Sequence, residues 1–258
     1  SPEETAALVA VIKLTSTVAE HDPSSRQIIL EQQAWRVPIY LMQLFRCGIA
    51  PSLKAACFDC LGTLIGNEGA AASLWVSMDG DHVLQGIIQE VERIESQEER
   101  YPLTIAFCNL IRKLCEYPLP LNFGAGARSP GVTSYIDFAL SNVLLRLDTF
   151  SYKQPSEKWD MTIAILDMIA LLLASYAPSQ DDFNTESTTH PGFGIFRKLL
   201  SDSNLFRKLI DIMSETGAHL EEYPSTYNEG LLKAGQKSLG ILSTAIRGSK
   251  AFMNSCRD

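Results

Sequence analysis

The chain has 258 residues, 46% of them hydrophobic and 20% charged, and carries a net charge of −8. That composition belongs to a folded chain and excludes a disordered or collagen-like one; the length allows one large domain or two small ones. A protein that grips a phosphate backbone clusters its Lys and Arg, and no such cluster occurs, so direct nucleic-acid binding is excluded as well. The acidic run Glu90, Glu92, Glu95, Glu98 and Glu99, relieved only by Arg93 and Arg100, reads as a solvated helix face.

The six cysteines (Cys47, Cys57, Cys60, Cys108, Cys115 and Cys256) sit in a chain rich enough in apolar residues to do without disulfide staples. No Asn-x-Ser/Thr acceptor is present, and the most apolar run, Ile163 to Ala174 with Asp167 inside it, falls short of the ~20 residues of a bilayer span. A reducing, aqueous compartment without membrane insertion is expected. The opening Ser1-Pro2-Glu3-Glu4 reads as a helix start rather than a signal peptide, so the chain is expected to be a piece of a longer one.

Helical spacing recurs along the chain, and strand alternation is nearly absent. The first helix is expected over about Glu3–Glu20, with Leu8, Val11, Ile12 and Val18 inward. Asp22-Pro23-Ser24 resets the chain as a new cap and first turn. A segment with Ile28, Leu30 and Trp35 continues, or kinks at Pro38, into Ile39, Leu41, Leu44 and Phe45, and Gly48 ends it. Pro51 opens a helix whose Leu53, Cys57, Cys60, Leu61, Leu64 and Ile65 form one stripe of a 3.6-residue period, stopped by Gly66. Shorter stretches follow over Ala70–Met78 and Val83–Arg100. Pro102 starts the cleanest pattern, with Leu103, Ala106, Phe107, Leu110, Ile111, Leu114 and Cys115 on one face.

Residues 116–131 form a Gly- and Pro-rich connection, expected to pack through Leu119, Leu121 and Phe123. Helices resume over Val132–Leu147 and Ser156–Tyr176, the latter apolar almost all round and so expected between layers. Residues 178–191 are polar and expected to be a mobile loop. Three helices close the chain, over Phe193–Leu200, Leu205–Met213 and Tyr227–Arg247. The sum is an all-α chain of about ten to twelve helices with mostly short connections, a continuous α-solenoid of stacked antiparallel pairs over residues 1–258, like HEAT or armadillo units of about 40–47 residues. Such units bury their apolar faces against neighbours, so a middle piece leaves two end faces uncapped.

Candidate chemistry is thin. Cys57-Phe58-Asp59-Cys60 matches C-x-x-C, but a redox pair needs its first Cys at a helix N-terminus, and Cys57 lies inside a helix begun at Pro51. No second pair completes a zinc site, so core packing is the reading. Gly126–Gly131 and Gly230–Gly235 have the G-x-x-x-x-G spacing of a phosphate loop. Val132 stands where the lysine belongs in the first, and Lys237 comes one place late in the second. Gly62–Gly66 is shorter and ends a helix, so no nucleotide or other cofactor is expected. His21, His82, His190 and His219 fall at helix ends or loops and make no catalytic or metal-ligating spacing. Trp35, Trp75 and Trp159 read as packing residues, with the alternative that one lines a groove for a partner peptide.

Glu99-Arg100-Tyr101-Pro102-Leu103-Thr104, Ala106-Phe107-Cys108 and Leu110-Ile111 resemble the large inner-ring scaffold nucleoporins, nucleoporin 205 of animals and nucleoporin 192 of fungi. The likeness continues through Asn122-Phe123-Gly124-Ala125-Gly126, Arg128, Pro130-Gly131, Leu145-Arg146-Leu147, Tyr152, Glu157-Lys158-Trp159 and Pro191-Gly192-Phe193, so that it covers residues 98–195. Leucines in Val143–Leu147 depart from the phenylalanines of the family, and the sister scaffold, nucleoporin 188, fits the Gly-rich block less well. The resemblance implies a HEAT/armadillo-like superhelix in the nuclear pore, no catalysis, and partners among other inner-ring nucleoporins and their flexible linkers, with Phe-Gly repeats as further candidates. A soluble transport receptor or adaptor of the same fold is the alternative. Neither reading assigns partner contacts to particular residues.

Overall fold

The computed structural model describes residues 2–32, 34–80, 82–120, 131–176, 190–201, 203–222 and 228–255. The described residues are helical and contain no strand. They fall into two compact units: residues 1–135 with 150–157, and residues 136–149 with 158–258.

In the first unit α1 (Pro2–His21) and α2 (Pro23–Glu31) are separated by Asp22, whose Oδ1 accepts the Ser24 N–H at 3.0 Å, the expected cap. The chain breaks after α2 and restarts at α3 (Val37–Phe45), with Pro38 in its first turn. α4 (Pro51–Leu64) is the centre of the unit and packs against α1, α3 and α8 (Pro102–Leu114). Its predicted stripe, Leu53, Cys57, Cys60, Leu61 and Leu64, is buried throughout. The predicted face of α8 is buried too.

Between them come α5 (Glu68–Gly80), α6 (Val83–Glu90), a π-helical turn over Val91–Glu95 and the short α7 (Ser96–Glu98). The core of the unit is aromatic. Phe45 meets Phe58 at 4.9 Å between ring centroids, Phe58 meets Phe107 at 5.6 Å, and Tyr135 lies 6.2 Å from Phe107 and 5.3 Å, edge-on, from Trp75. Tilted and edge contacts of this kind add about 1 kcal/mol each beyond the area they bury.

α1 departs from its expected orientation. Of Leu8, Val11, Ile12 and Val18, only Ile12 is buried, while Leu8, Val11, Leu14 and Val18 face outward at 45%, 61%, 65% and 40% exposure. The inward line is Ile12, Ser16 and Ala19, spaced four and three residues apart, with Ser16 Oγ 3.2 Å from Thr63 Oγ1 on α4. Small side chains let the two helices approach closely, and that contact outweighs the larger apolar residues on the other face.

The second unit begins within α9 (Gly131–Asp137), which runs on as a π-helical turn over Phe138–Val143 and a 3₁₀ stretch over Leu144–Thr149. α10 (Ser156–Ala174) follows, then α11 (Pro191–Leu200), α12 (Asn204–Glu222) and α13 (Glu229–Ser255). α12 pairs along α13, and α11 packs on both. α12 and α13 each run about two turns beyond the expected ends, the added turns of α12 lying over the mostly polar residues 214–222. Most of the 116–131 connection and of the 178–191 loop lies outside the described residues; within the former, Leu119 is half-buried.

Candidate functional site

The N-terminus of α8 carries the densest polar construction in the first unit. A helix start exposes N–H donors that need acceptors, and Tyr101, at the cap position, supplies no side-chain bond to them. Two carboxylates from elsewhere do. Glu95, fully buried, accepts the Leu103 N–H at 2.7 Å through Oε1 and the Thr104 hydroxyl at 2.5 Å through Oε2. Glu157 accepts the Tyr101 N–H at 2.9 Å and the Arg100 Nε–H at 2.8 Å. Glu99, at φ 55°, turns the chain in a left-handed conformation, and its carbonyl accepts the Lys153 N–H at 2.9 Å. Tyr101 stacks on Phe150 at 5.0 Å and leans on Tyr152 at 5.4 Å.

Burial pushes the Glu95 carboxyl up to about 7 against the pull of these donors. Both carboxylates act as helix caps, so the cluster positions backbone rather than reacting groups.

This corrects the reading of the acidic run as a solvated face. Glu95 is fully buried and Glu90 receives the Lys54 ammonium at 2.7 Å, while Glu92, Glu98 and the turn residue Glu99 remain toward solvent. Periodicity alone missed it, because a remote acceptor leaves no local spacing. The signal available was a helix opening at Pro102 with no capping side chain before it.

The other flagged residues resolve into packing. Cys57 and Cys60 are both buried on α4, and burial pushes their thiols up to about 11 and about 12, away from the thiolate that redox or metal chemistry needs. Cys108 and Cys115 are buried on or beside α8, Cys47 is exposed, and Cys256 lies outside the described residues. Gly230 and Gly235 sit inside α13 at close approaches: a Cβ on Gly230 would stand 2.6 Å from Trp159 Cβ, and one on Gly235 would stand 2.8 Å from Thr216 Cγ2. Gly62 faces Leu110 across the α4–α8 contact, and Gly66 adjoins the Arg26 side chain. Gly126 lies outside the described residues, and Gly131 opens α9.

The histidines stand apart. His21 ends α1 with Nδ1 2.9 Å from the Thr17 carbonyl, His82 precedes α6 at φ 52°, and His219 is on α12. His190 caps α11, its Nδ1 accepting the Gly192 N–H at 3.0 Å. Among the described residues no group of His, Cys, Asp or Glu could hold a metal ion, and no helix is long and apolar enough to cross a membrane. Trp75 and Trp159 are buried; Trp35 is half-exposed.

These features define a class: an all-helical protein built by helix pairing, whose notable polar groups cap helices and whose glycines admit neighbouring helices. The family model described as nuclear pore complex scaffold, nucleoporins 186/192/205, matches residues 1–258. The chain is 32% identical over 273 residues to human nuclear pore complex protein Nup205, an alignment covering 97% of this chain and 14% of that protein. It is 31% identical to the Drosophila melanogaster Nup205, over 95% of this chain and 12% of that one, and 27% identical to the Arabidopsis thaliana NUP205 over 59% of this chain and 8% of that one. The chain belongs to the nucleoporin 186/192/205 family of nuclear pore scaffolds, and spans about a seventh of the length of the human relative. The family is described as one of scaffolds. The α8 cap ties together blocks that carried the resemblance: Glu157 binds Arg100 and Tyr101, and Tyr152 leans on Tyr101.

Proposed function

We propose that this chain is a length of structural scaffold in the inner ring of the nuclear pore complex, working through protein–protein contacts at the nuclear envelope and so supporting transport. The observation that carries this reading is the family match along all 258 residues. The helix pairs of both units belong, in this reading, to one continuous HEAT/armadillo-like solenoid. Stacked helix pairs make long grooves, and a flexible linker of another inner-ring nucleoporin, or a Phe-Gly repeat, can lay a short segment into one. Outward apolar rows fit the same reading. Leu8, Val11, Leu14 and Val18 on α1, and Leu239 and Ile246 on α13, are what helices that stack on further helices leave open in isolation.

Photobleaching of the fluorescently tagged protein that contains this chain tests the proposal. Staining of the nuclear rim with recovery over hours is the expected result. Recovery within seconds identifies a shuttling transport receptor instead, and diffuse staining removes the pore assignment.

A further inference from the structure

Helices α3, α4 and α5 of the first unit border a cleft of about 520 Å³, within the range of pockets that bury a ligand. Its lining is mostly aliphatic, from Leu30, Ile39, Met42, Leu61, Leu64 and Leu74, and polar side chains complete it. Two of these, Gln43 and Asn67, present amides that can bond a peptide backbone: Gln43 makes no side-chain hydrogen bond among the described residues, and Asn67 uses only Oδ1, to the Ala70 N–H. Ile39, inside the lining, and its neighbours Trp35 and Tyr40 are each about half exposed. Large side chains of this kind, with arginine, carry most of the energy of protein interfaces.

Charge selects the occupant. The chain is acidic overall, yet residues 24–58 hold Arg26, Arg36, Arg46 and Lys54 against the single carboxylate of Glu31. Lys54 is already paired with Glu90, and Gln27 donates to Glu31. Arg46 lines the cleft, Arg26 lies against Gly66 between the lining residues Ile65 and Asn67, and Arg36 caps the start of α3. Arg26 and Arg36 form no ion pair among the described residues. Glu68, between the lining residues Asn67 and Gly69, and Glu31, next to the lining residue Leu30, are the opposing charges that adjoin the lining in sequence.

We propose that the α3–α4–α5 cleft docks a peptide segment that inserts large apolar side chains and sets acidic residues against Arg26 and Arg36. The proposal rests on the scaffold reading above, in that the segment belongs to a partner of the scaffold, and it adds the place and the chemistry.

The probe is a fluorescein-labelled peptide with a central Leu-Phe pair between glutamates, titrated into the 258-residue chain and followed by anisotropy. Saturable binding is expected, weakened about tenfold or more when alanines replace the apolar pair or lysines replace the glutamates. Ser73 is an exposed residue of the lining, so Ser73→Trp fills the cleft from the solvent side and should abolish binding; Arg36→Glu, also at an exposed position, should weaken it about tenfold. Equal binding of the lysine peptide or of a Phe-Gly peptide without glutamates, undiminished binding to Ser73→Trp, or no saturable binding overturns the proposal. Should Ser73→Trp not fold, as judged by circular dichroism, Arg36→Glu and Ile39→Glu at exposed positions decide in its place. Slow exchange at the nuclear rim without peptide binding removes the cleft and leaves the scaffold reading standing; absence of the unsubstituted protein from the rim removes the scaffold reading by itself.

Discussion

The two units reach stability by different means. The first is organised around α4 and α8, with a row of aromatic rings between them and two buried or nearly buried carboxylates, Glu95 and Glu157, holding the backbone at the start of α8. In the second, long helices approach through glycines, and side-chain ion pairs join its elements: Lys208 and Lys158 to Asp148, Lys237 to Asp167, and Lys198 to Asp137. Asp148 is 64% exposed. A carboxylate that caps buried N–H groups cannot be replaced by water, whereas an exposed ion pair can. Polar substitutions should therefore weigh heavily in the first unit, and steric ones in the second.

The largest effect follows from Glu95. Its carboxyl is raised to about 7, above the ordinary value of 4.5, so between those pH values the folded state holds a proton that the unfolded chain has released. Stability of the first unit should then fall as pH rises from 4.5 to 7, by on the order of 3 kcal/mol, and stay low above that. Denaturation with hydrogen exchange read in residues 102–114 measures this, and Glu95→Gln, which keeps an acceptor without the charge, should flatten the profile. A profile unchanged by Glu95→Gln would break the contrast between the units. Next is Glu157→Ala, which leaves the Tyr101 N–H without its acceptor and Arg100 without its partner. A loss of about 2 to 3 kcal/mol is expected, confined by hydrogen exchange to the first unit.

How far the sequence made this legible varied with the range of the interaction. Asp22 before α2, Pro51 at α4 and Pro102 at α8 mark their helices because a cap or a first-turn proline acts within a few residues. The buried faces of α4 and α8 were readable from spacing, since each has one dominant apolar stripe. α1 misled because it offers two candidate faces, and the choice of Ile12, Ser16 and Ala19 depends on α4, distant in sequence. Glu95 was hidden for the same reason: inside a run of glutamates, only the unmet donors of α8 distinguish it. The glycines of α13 have a phosphate-loop spacing that the late Lys237 already argued against, but what they do instead, admitting Trp159 and Thr216, depends on residues distant in sequence. Trp35 was one of three tryptophans of equal standing, and only the structure separates it from the two that are buried.

In the second unit Gly230→Ala tests the steric half of the comparison. The new methyl would meet Trp159 Cβ at 2.6 Å, and because Cβ moves only with the backbone, α13 must shift. About 2 kcal/mol is the expected cost, seen as faster exchange along residues 229–245 with residues 102–114 unchanged.

The smallest effect, and the sharpest test, is Asp148→Asn. Asp148 receives both Lys208 and Lys158, and these lysines hold its carboxyl below the ordinary value of 3.8. The side chain is largely solvated, so the pairs gain little over the water they displace, and the amide that replaces the carboxylate can still accept a bond from either lysine. Lys208 is itself mostly buried, its stem covered by the packing of α12, and keeps that burial in the variant. A loss below about 1 kcal/mol is expected, shrinking further at high salt. The direction with pH is opposite to that of Glu95. A lowered carboxyl contributes stability that is present above 3.8 and is lost as pH falls through its folded value, so the variant should differ from the wild type at neutral pH and converge with it in acid. A loss as large as that of Glu157→Ala would mean that Asp148 holds the second unit as Glu157 holds the first, and the division between buried caps and solvated pairs would fall.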